Sequence, residues 1–486
     1  MPANEEAQHN GAATNGAATN GAGTNGAADV PDGGNETASV PLRRHASFLK
    51  LWAGQSVSLA GSSVTGLALP LTAIYTLHAG AGEIGLLSAA TWLPYVILGL
   101  QAGAWTDRHR RRPVLIWADI GRAVLLGGIV ALAVTHTLTM PLLYLGVFCT
   151  GTLTMFFDVS YNSYVPSIVG RDLLVTANSR LQASSSISNV AGPGLGGLLI
   201  QLVTAPIAII ADAASFVVSA AFALWIRTPE PVPPPKRPGE SMLKQVRQGL
   251  AVCMKNPLLR ALMGTATIFN LFAQWMVALL VLFAVRDLGL KAGTIGLAGG
   301  LAAIGALIGS VTVTRLSKRF GVGPTTMFAV TIECAVMLAI PFLPGGHPLL
   351  ATILLAAALA VNGFGTAASS IVATTVRQTI TPSRLIGRMT ATYKFFTYGV
   401  IAIGALLGGL FGQLLGVRHG MLIGAICLMS TVVWTAFSAI PKLRELPTEM
   451  AVEAEPPSET GLPGETGLPP AAPGFMPEPE SAAVVD

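Results

Sequence analysis

Leu349-Leu-Ala-Thr-Ile-Leu-Leu-Ala-Ala-Ala-Leu-Ala-Val361 carries no charge and lies inside a longer apolar window, 348–372. A helix that crosses the hydrocarbon core of a bilayer needs roughly 20 predominantly apolar residues. This window supplies them, so the solvent around it is lipid. Val124–Val134 and Met421–Val433 read the same way. Working outward, apolar windows fall near 49–77, 83–105, 113–135, 140–165, 177–203, 206–226, 258–285, 293–314, 323–343, 348–372, 388–414 and 418–440. The fold class expected is therefore all-α integral membrane, with twelve transmembrane helices. Composition agrees: 52% of the 486 residues are hydrophobic and 11% charged, against about 25% charged in a soluble domain, and the mean hydropathy is +0.62.

Outside the windows the chain cannot build a core. Residues 1–45 contain the repeat NGAAT-NGAAT-NGAGT, and residues 442–486 are rich in Pro, Gly and Glu; both read as disordered tails. The longest loop, 228–257, contains PEPVPPPKRPGE and then SMLKQVRQGLAVCMK, a basic amphipathic stretch. It divides the helices into two six-helix halves, 46–227 and 258–441. Lys and Arg concentrate on the side that holds both ends and this loop, including Arg108, Arg110, Arg111, Arg112, Lys236, Arg237, Arg315, Lys318, Arg319, Lys442 and Arg444. The other side holds only Arg286, Lys291 and Arg418. Cytoplasmic loops are the positive ones, so a multi-pass inner (plasma) membrane protein with both termini in the cytoplasm is expected. The pI of about 9.1 is thereby explained without nucleic acid. Cys149, Cys253, Cys334 and Cys427 form no C-x-x-C pair and the seven histidines are dispersed, so neither a metal nor any other cofactor is expected.

The halves echo one another. VPSIVGRDLL after the fourth window parallels TPSRLIGRM after the tenth, and Gly192-Pro193-Gly194-Leu195-Gly196-Gly197 parallels Gly404-Ala-Leu-Leu-Gly408-Gly409. Such a duplication, a pseudo-repeat of six helices, is how many transporters frame a site near the bilayer midplane.

Polar residues recur at helical spacing in the first, fourth, seventh and tenth windows: Gln55, Ser58, Ser62 and Thr65; Thr150, Thr154, Asp158 and Tyr161; Thr267, Asn270 and Gln274; Asn362, Thr366 and Ser369. A polar stripe against lipid is costly, so these face a partner helix or water. Trp275 and several phenylalanines lie beside them and suit an apolar ligand. Ionisable residues within the windows are Asp119, Arg122, Asp158, Asp212, Glu333 and Lys394. Each costs at least about 2.5–3.5 kcal/mol if it faces lipid alone. Asp119 and Arg122 stand three apart, a spacing that allows an intrahelical ion pair. Asp158, on the polar stripe, is the first candidate for carrying a proton, with Asp212 and Glu333 behind it. Lys394 is placed to counter an acid or an anionic ligand.

Gly103-Ala-Trp-Thr-Asp107-Arg108-His-Arg110-Arg111-Arg112 resembles the motif that the major facilitator superfamily carries between its second and third spans, with Arg110 where a glycine is usual. The counterpart Arg315-Leu-Ser-Lys318-Arg319-Phe-Gly321 has Lys318 in place of the acid. GPGLGG, with Gly192, Pro193, Gly196 and Gly197, resembles the antiporter motif of exporters in that superfamily, although two upstream glycines are Ser179 and Ser188 here. Phe156–Ile200 and Ala211–Ala220 look like the branch of macrolide-efflux proteins and siderophore exporters. The resemblance implies a pathway lined by spans one, four, seven and ten. It implies a monomer that exports a small amphipathic molecule, a drug, antibiotic or secondary metabolite, in exchange for protons. An importer of the same fold, a membrane enzyme and a non-transporting sensor are the alternatives. No lysine follows a glycine, so the phosphate-binding G-K-[ST] loop of an ATP-driven pump is absent.

Overall fold

The computed structural model describes residues 42, 45–106, 109–169, 173–228, 230, 250–382 and 385–445. Most of the expected tails, most of the central loop, and Asp107 and Arg108 lie outside the described residues. The helices are α1 (Ala46–Thr76), α2 (Ala81–Thr106), α3 (Arg111–Val134), α4 (Met140–Val169), α5 (Leu174–Val203), α6 (Ala205–Leu224), α7 (Pro257–Arg286), α8 (Ala292–Phe320), α9 (Val322–Ala339), α10 (Pro348–Ile380), α11 (Ile386–Leu415), α12 (Val417–Leu428) and α13 (Ser430–Ala436). The last two are one span broken at Met429, which makes twelve helices long and apolar enough to cross a membrane among the described residues. No strand occurs among those residues.

Apolar composition makes these segments helical because lipid offers no partner for backbone N–H and C=O groups, and a helix satisfies them within itself. Three helices run well past their apolar windows, α4 to Val169, α8 to Phe320 and α10 to Ile380. Hydropathy marks only the lipid-embedded part, whereas backbone hydrogen bonding carries the helix on into water. Three helix pairs join through a single residue of positive φ: Gly321, Gly416 and Thr204, at φ 94°, 85° and 111°. Thr204, between α5 and α6, is β-branched and strained there; its counterpart between α11 and α12 is Gly416.

Because the spans are even in number, α1 begins and α13 ends at one face, here the terminus end; the α1–α2 and α7–α8 connections mark the far end. At the far end one apolar core, from Leu71, Leu126 and Ile209 through Met276, Leu279 and Val330 to Met421, is shared by both halves. Toward the terminus end it gives way to two separate cores. One lies around Phe48, Leu115 and Tyr164 in the first half, the other around Leu259, Val313 and Val376 in the second. The protein is closed at the far end and divided at the other.

Candidate functional site: a cavity beneath a duplicated glycine seal

The far-end closure is made by the same device twice. On one flank α5 crosses α8, where a Cβ on Gly197 would come 2.7 Å from the Ala292 carbonyl and 2.9 Å from Gly296 Cα. On the other α11 crosses α2, where a Cβ on Gly409 would come 2.8 Å from Gly85 Cα. The helices meet backbone to backbone, which only glycine permits. Four residues on, Gln201 lies over Gly293 and Gln413 over Gly82. The helices that receive them begin alike, Ala81-Gly-Glu-Ile-Gly-Leu86 and Ala292-Gly-Thr-Ile-Gly-Leu297. This shared hexad was visible in the sequence and was not among the expectations above.

The rest of the repeated glycine motif turns inward within each half. Gly192 and Gly196 pack on Ser63 and Val64 of α1; Gly404 and Gly408 pack on Leu271 and Trp275 of α7. Each glycine that the two halves share in the expected sequence parallel therefore has the same structural duty in both. Pro193 lies within an unbroken α5 and touches Gly299 of α8. Across the far end, Arg286 donates to the carbonyls of Ala79 at 2.8 Å and His78 at 3.3 Å. Asp287 pairs with Arg418 at 3.8 Å; burial raises its carboxyl above the ordinary range, against the pull of Arg418 and Arg286.

Beneath the seal lies a cavity of about 400 Å³ between the halves, lined by Ser62, Thr65, Ser88, Trp92, Tyr95, Thr150, Thr154, Asp212 and Gln274. Gln274 Nε2 donates across the halves to Ser88 Oγ at 2.9 Å. Asp212, 2% exposed, accepts from Ser62 and Ser215 at 3.2 Å each. Tyr95 Oη donates to Asp158 at 2.8 Å, so Asp158 reaches this cavity through a phenol rather than lining it. A second cavity, about 480 Å³, opens in the second half between α7, α9, α10 and α11. Asn270, Glu333, Thr366, Arg377 and Lys394 line it. Glu333 is 2% exposed; Oε1 accepts from Ser369 at 3.3 Å and Oε2 has no partner. Trp92 and Tyr398, 6.3 Å apart, bridge the two cavities, and Lys394 is one turn from Tyr398.

Other expected residues lie elsewhere. Trp275, expected at the cavity, is 3% exposed in the core, donates to the Gly420 carbonyl at 3.0 Å and stacks on Phe411 at 4.8 Å. Its neighbour Gln274 takes the cavity position because successive helical residues point about 100° apart. Tyr161 stacks on Phe157 at 5.7 Å with an unpartnered hydroxyl, Gln55 keeps an unpartnered Oε1, and Asn362 donates to the Glu333 carbonyl at 3.4 Å; none lines either cavity. Asp119 and Arg122 form the intrahelical pair, buried at 0% and 3% exposure. The Arg122 guanidinium sits between the faces of Phe157 and Phe216, at 4.3 and 4.0 Å.

At the terminus end, Gly103 belongs to the last turns of α2. Arg112 donates to the Ala223 and Leu224 carbonyls at 3.0 and 2.7 Å, capping α6. The acid that caps the N-terminus of α3 is Glu230, which accepts from the backbone amides of Arg111 and Arg112 at 2.6 and 3.2 Å and pairs with the Arg111 side chain at 3.6 Å. Its distance along the chain, beyond α6, hid it from sequence reasoning.

Twelve spans in two glycine-sealed halves around polar cavities are the architecture of a major facilitator superfamily transporter. The family model described as "Transmembrane secretion effector" matches residues 36–467, and the chain belongs to that family, whose members move small molecules rather than transform them. Macrolide efflux protein A of Streptococcus pyogenes is 24% identical over 82% of this chain and 97% of its own length. The enterobactin exporter EntS of Escherichia coli O1:K1 / APEC is 26% identical over 82% of this chain and 95% of its own. Among solved structures, a bacterial homologue of the iron transporter ferroportin in an inward-facing state superimposes with a TM-score of 0.65 at 15% identity, over 82% of this chain and all of that one.

Proposed function

We propose that this protein exports a small amphipathic molecule across the inner membrane in exchange for protons, acting as a monomer with both termini in the cytoplasm. The observation that carries the reading is the placement of acid-bearing cavities directly under a seal built twice from the same residues. The terminus end bears the excess of Lys and Arg, which supports placing it in the cytoplasm. The described state then receives cargo from inside. Rocking the halves opens the far-end crossings and closes the terminus end. Asp158, Asp212 and Glu333 are the groups that exchange protons as their surroundings change; Lys394 and Arg377 line the same cavity as Glu333. The compounds that name the relatives, a macrolide and enterobactin, are the first cargoes to try.

Everted vesicles containing the protein test the reading. ATP-independent accumulation of a labelled macrolide or of enterobactin, abolished by a protonophore, supports it. Accumulation that ignores the protonophore removes proton exchange, and loss of preloaded cargo on energising the vesicles reverses the direction.

A further inference from the structure

We propose that a lateral groove at the terminus end of the first half binds an anionic phospholipid of that leaflet, independently of transport direction or cargo. The groove, about 560 Å³, lies between the start of α3, the end of α6 and the segment that follows. Its rim holds Arg110, Arg112 and Arg227, and its wall Ile116, Ile120 and Leu224. The rim is strongly positive. Glu230, the one acid lining it among the described residues, spends both oxygens on backbone amides, while Arg110 and Arg227 have no ion-pair partner among those residues. Arg112, by capping α6, fixes the floor of the groove in advance.

Depth matches a lipid. Trp117, 71% exposed, stands six residues into α3 from Arg111, about 9 Å along the axis at 1.5 Å per residue. One interfacial layer of a bilayer is about 5–7.5 Å thick, so with the arginines at the phosphate level the indole stands at the inner boundary of that layer, at the edge of the zone where tryptophan is enriched. A phosphate at the arginine level therefore leaves its acyl chains against the apolar wall. Arg110 replaces the glycine usual in the resembling motif, and at this rim the extra guanidinium has a use. Guanidinium is well matched to phosphate, and clusters of basic residues on the cytoplasmic side recognise anionic headgroups.

The test uses the full chain in phosphatidylcholine nanodiscs with 10 mol% of either acyl-brominated phosphatidylglycerol or acyl-brominated phosphatidylcholine, read by tryptophan fluorescence. Subtracting the Trp117→Phe signal isolates Trp117. Brominated phosphatidylglycerol is expected to quench Trp117 well beyond brominated phosphatidylcholine. Each basic residue near a leaflet surface is worth a factor of roughly five in anionic-lipid affinity, so Arg110→Ser with Arg227→Ser is expected to reduce the enrichment up to roughly 25-fold and equalise the two lipids. Arg110→Lys with Arg227→Lys, keeping the charge, retains most of the excess. Equal quenching by both lipids in the parent protein, an excess that survives the serine pair, or loss of the excess in the lysine pair each overturns the proposal.

Discussion

Adding one methyl group to each far-end crossing, Gly197→Ala with Gly409→Ala, is expected to open the far end. Each new Cβ falls within 2.9 Å of a backbone atom across the crossing, where ordinary contact needs 3.4 Å or more, and backbone cannot rotate aside as a side chain can. The helices must separate. Overpacking of this kind costs about 1–3 kcal/mol per site, hence about 2–6 kcal/mol for the pair. Only the far-end-closed state bears that cost. Conformers of a switching protein differ by a few kcal/mol, so even about 3 kcal/mol shifts their ratio about 150-fold. The assay is labelling of a cysteine placed at Leu69, which lines the interdomain cavity, by an impermeant maleimide from the far side after replacing the four native cysteines. The double variant is expected to label at least about tenfold faster, a conservative reading of that shift. Gly194→Ala is the control, since nothing lies within 4 Å of its added Cβ, and it should leave labelling unchanged. Equal labelling in a folded double variant would refute the claim that the glycine crossings hold the far end shut.

Asp158→Asn is expected to keep the fold while reducing proton-driven efflux at least about tenfold, since a positioned proton-transfer group is worth 10² or more; the protonophore-sensitive component of vesicle transport measures it. Gly192→Leu with Pro193→Ala forces a side chain onto Ser63, where even a Cβ would come within 2.2 Å, and should lower transport rate more than ligand affinity, seen as a fall in kcat against a steady KM. Arg122→Leu strands the buried Asp119 and should cost about 3–5 kcal/mol of stability, read as a lower melting temperature in detergent that Asp119→Asn in the same chain largely restores. Thr204→Gly relieves a β-branched residue at φ 111° and should raise that temperature, with about 1–3 kcal/mol of strain to recover.

The twelve spans were legible because lipid penalises each misplaced charge by several kcal/mol, which leaves long charge-poor windows in any chain that crosses it. The glycine parallel was legible for a related reason: close helix crossings in lipid depend on small residues, so Gly192, Gly196 and Gly197 and their partners had to recur at fixed spacing. Side-chain direction was less legible. A difference of one residue separates Gln274, at the cavity, from Trp275, in the core, and a stripe four residues wide does not resolve it. Asp158 illustrates a further limit, since its access to the cavity depends on Tyr95, a residue from another helix. Glu230 shows the same limit across a larger separation, because which acid caps α3 is decided by where the chain returns after α6.

The glycine crossings bring main chain against main chain, so the faces that meet in the far-end seal carry almost no chemical identity. Residues that touch cargo can drift without disturbing that seal. That separation allows one seal to serve different cargoes, and it directs any search for specificity to the walls of the chamber and away from the crossings that close it.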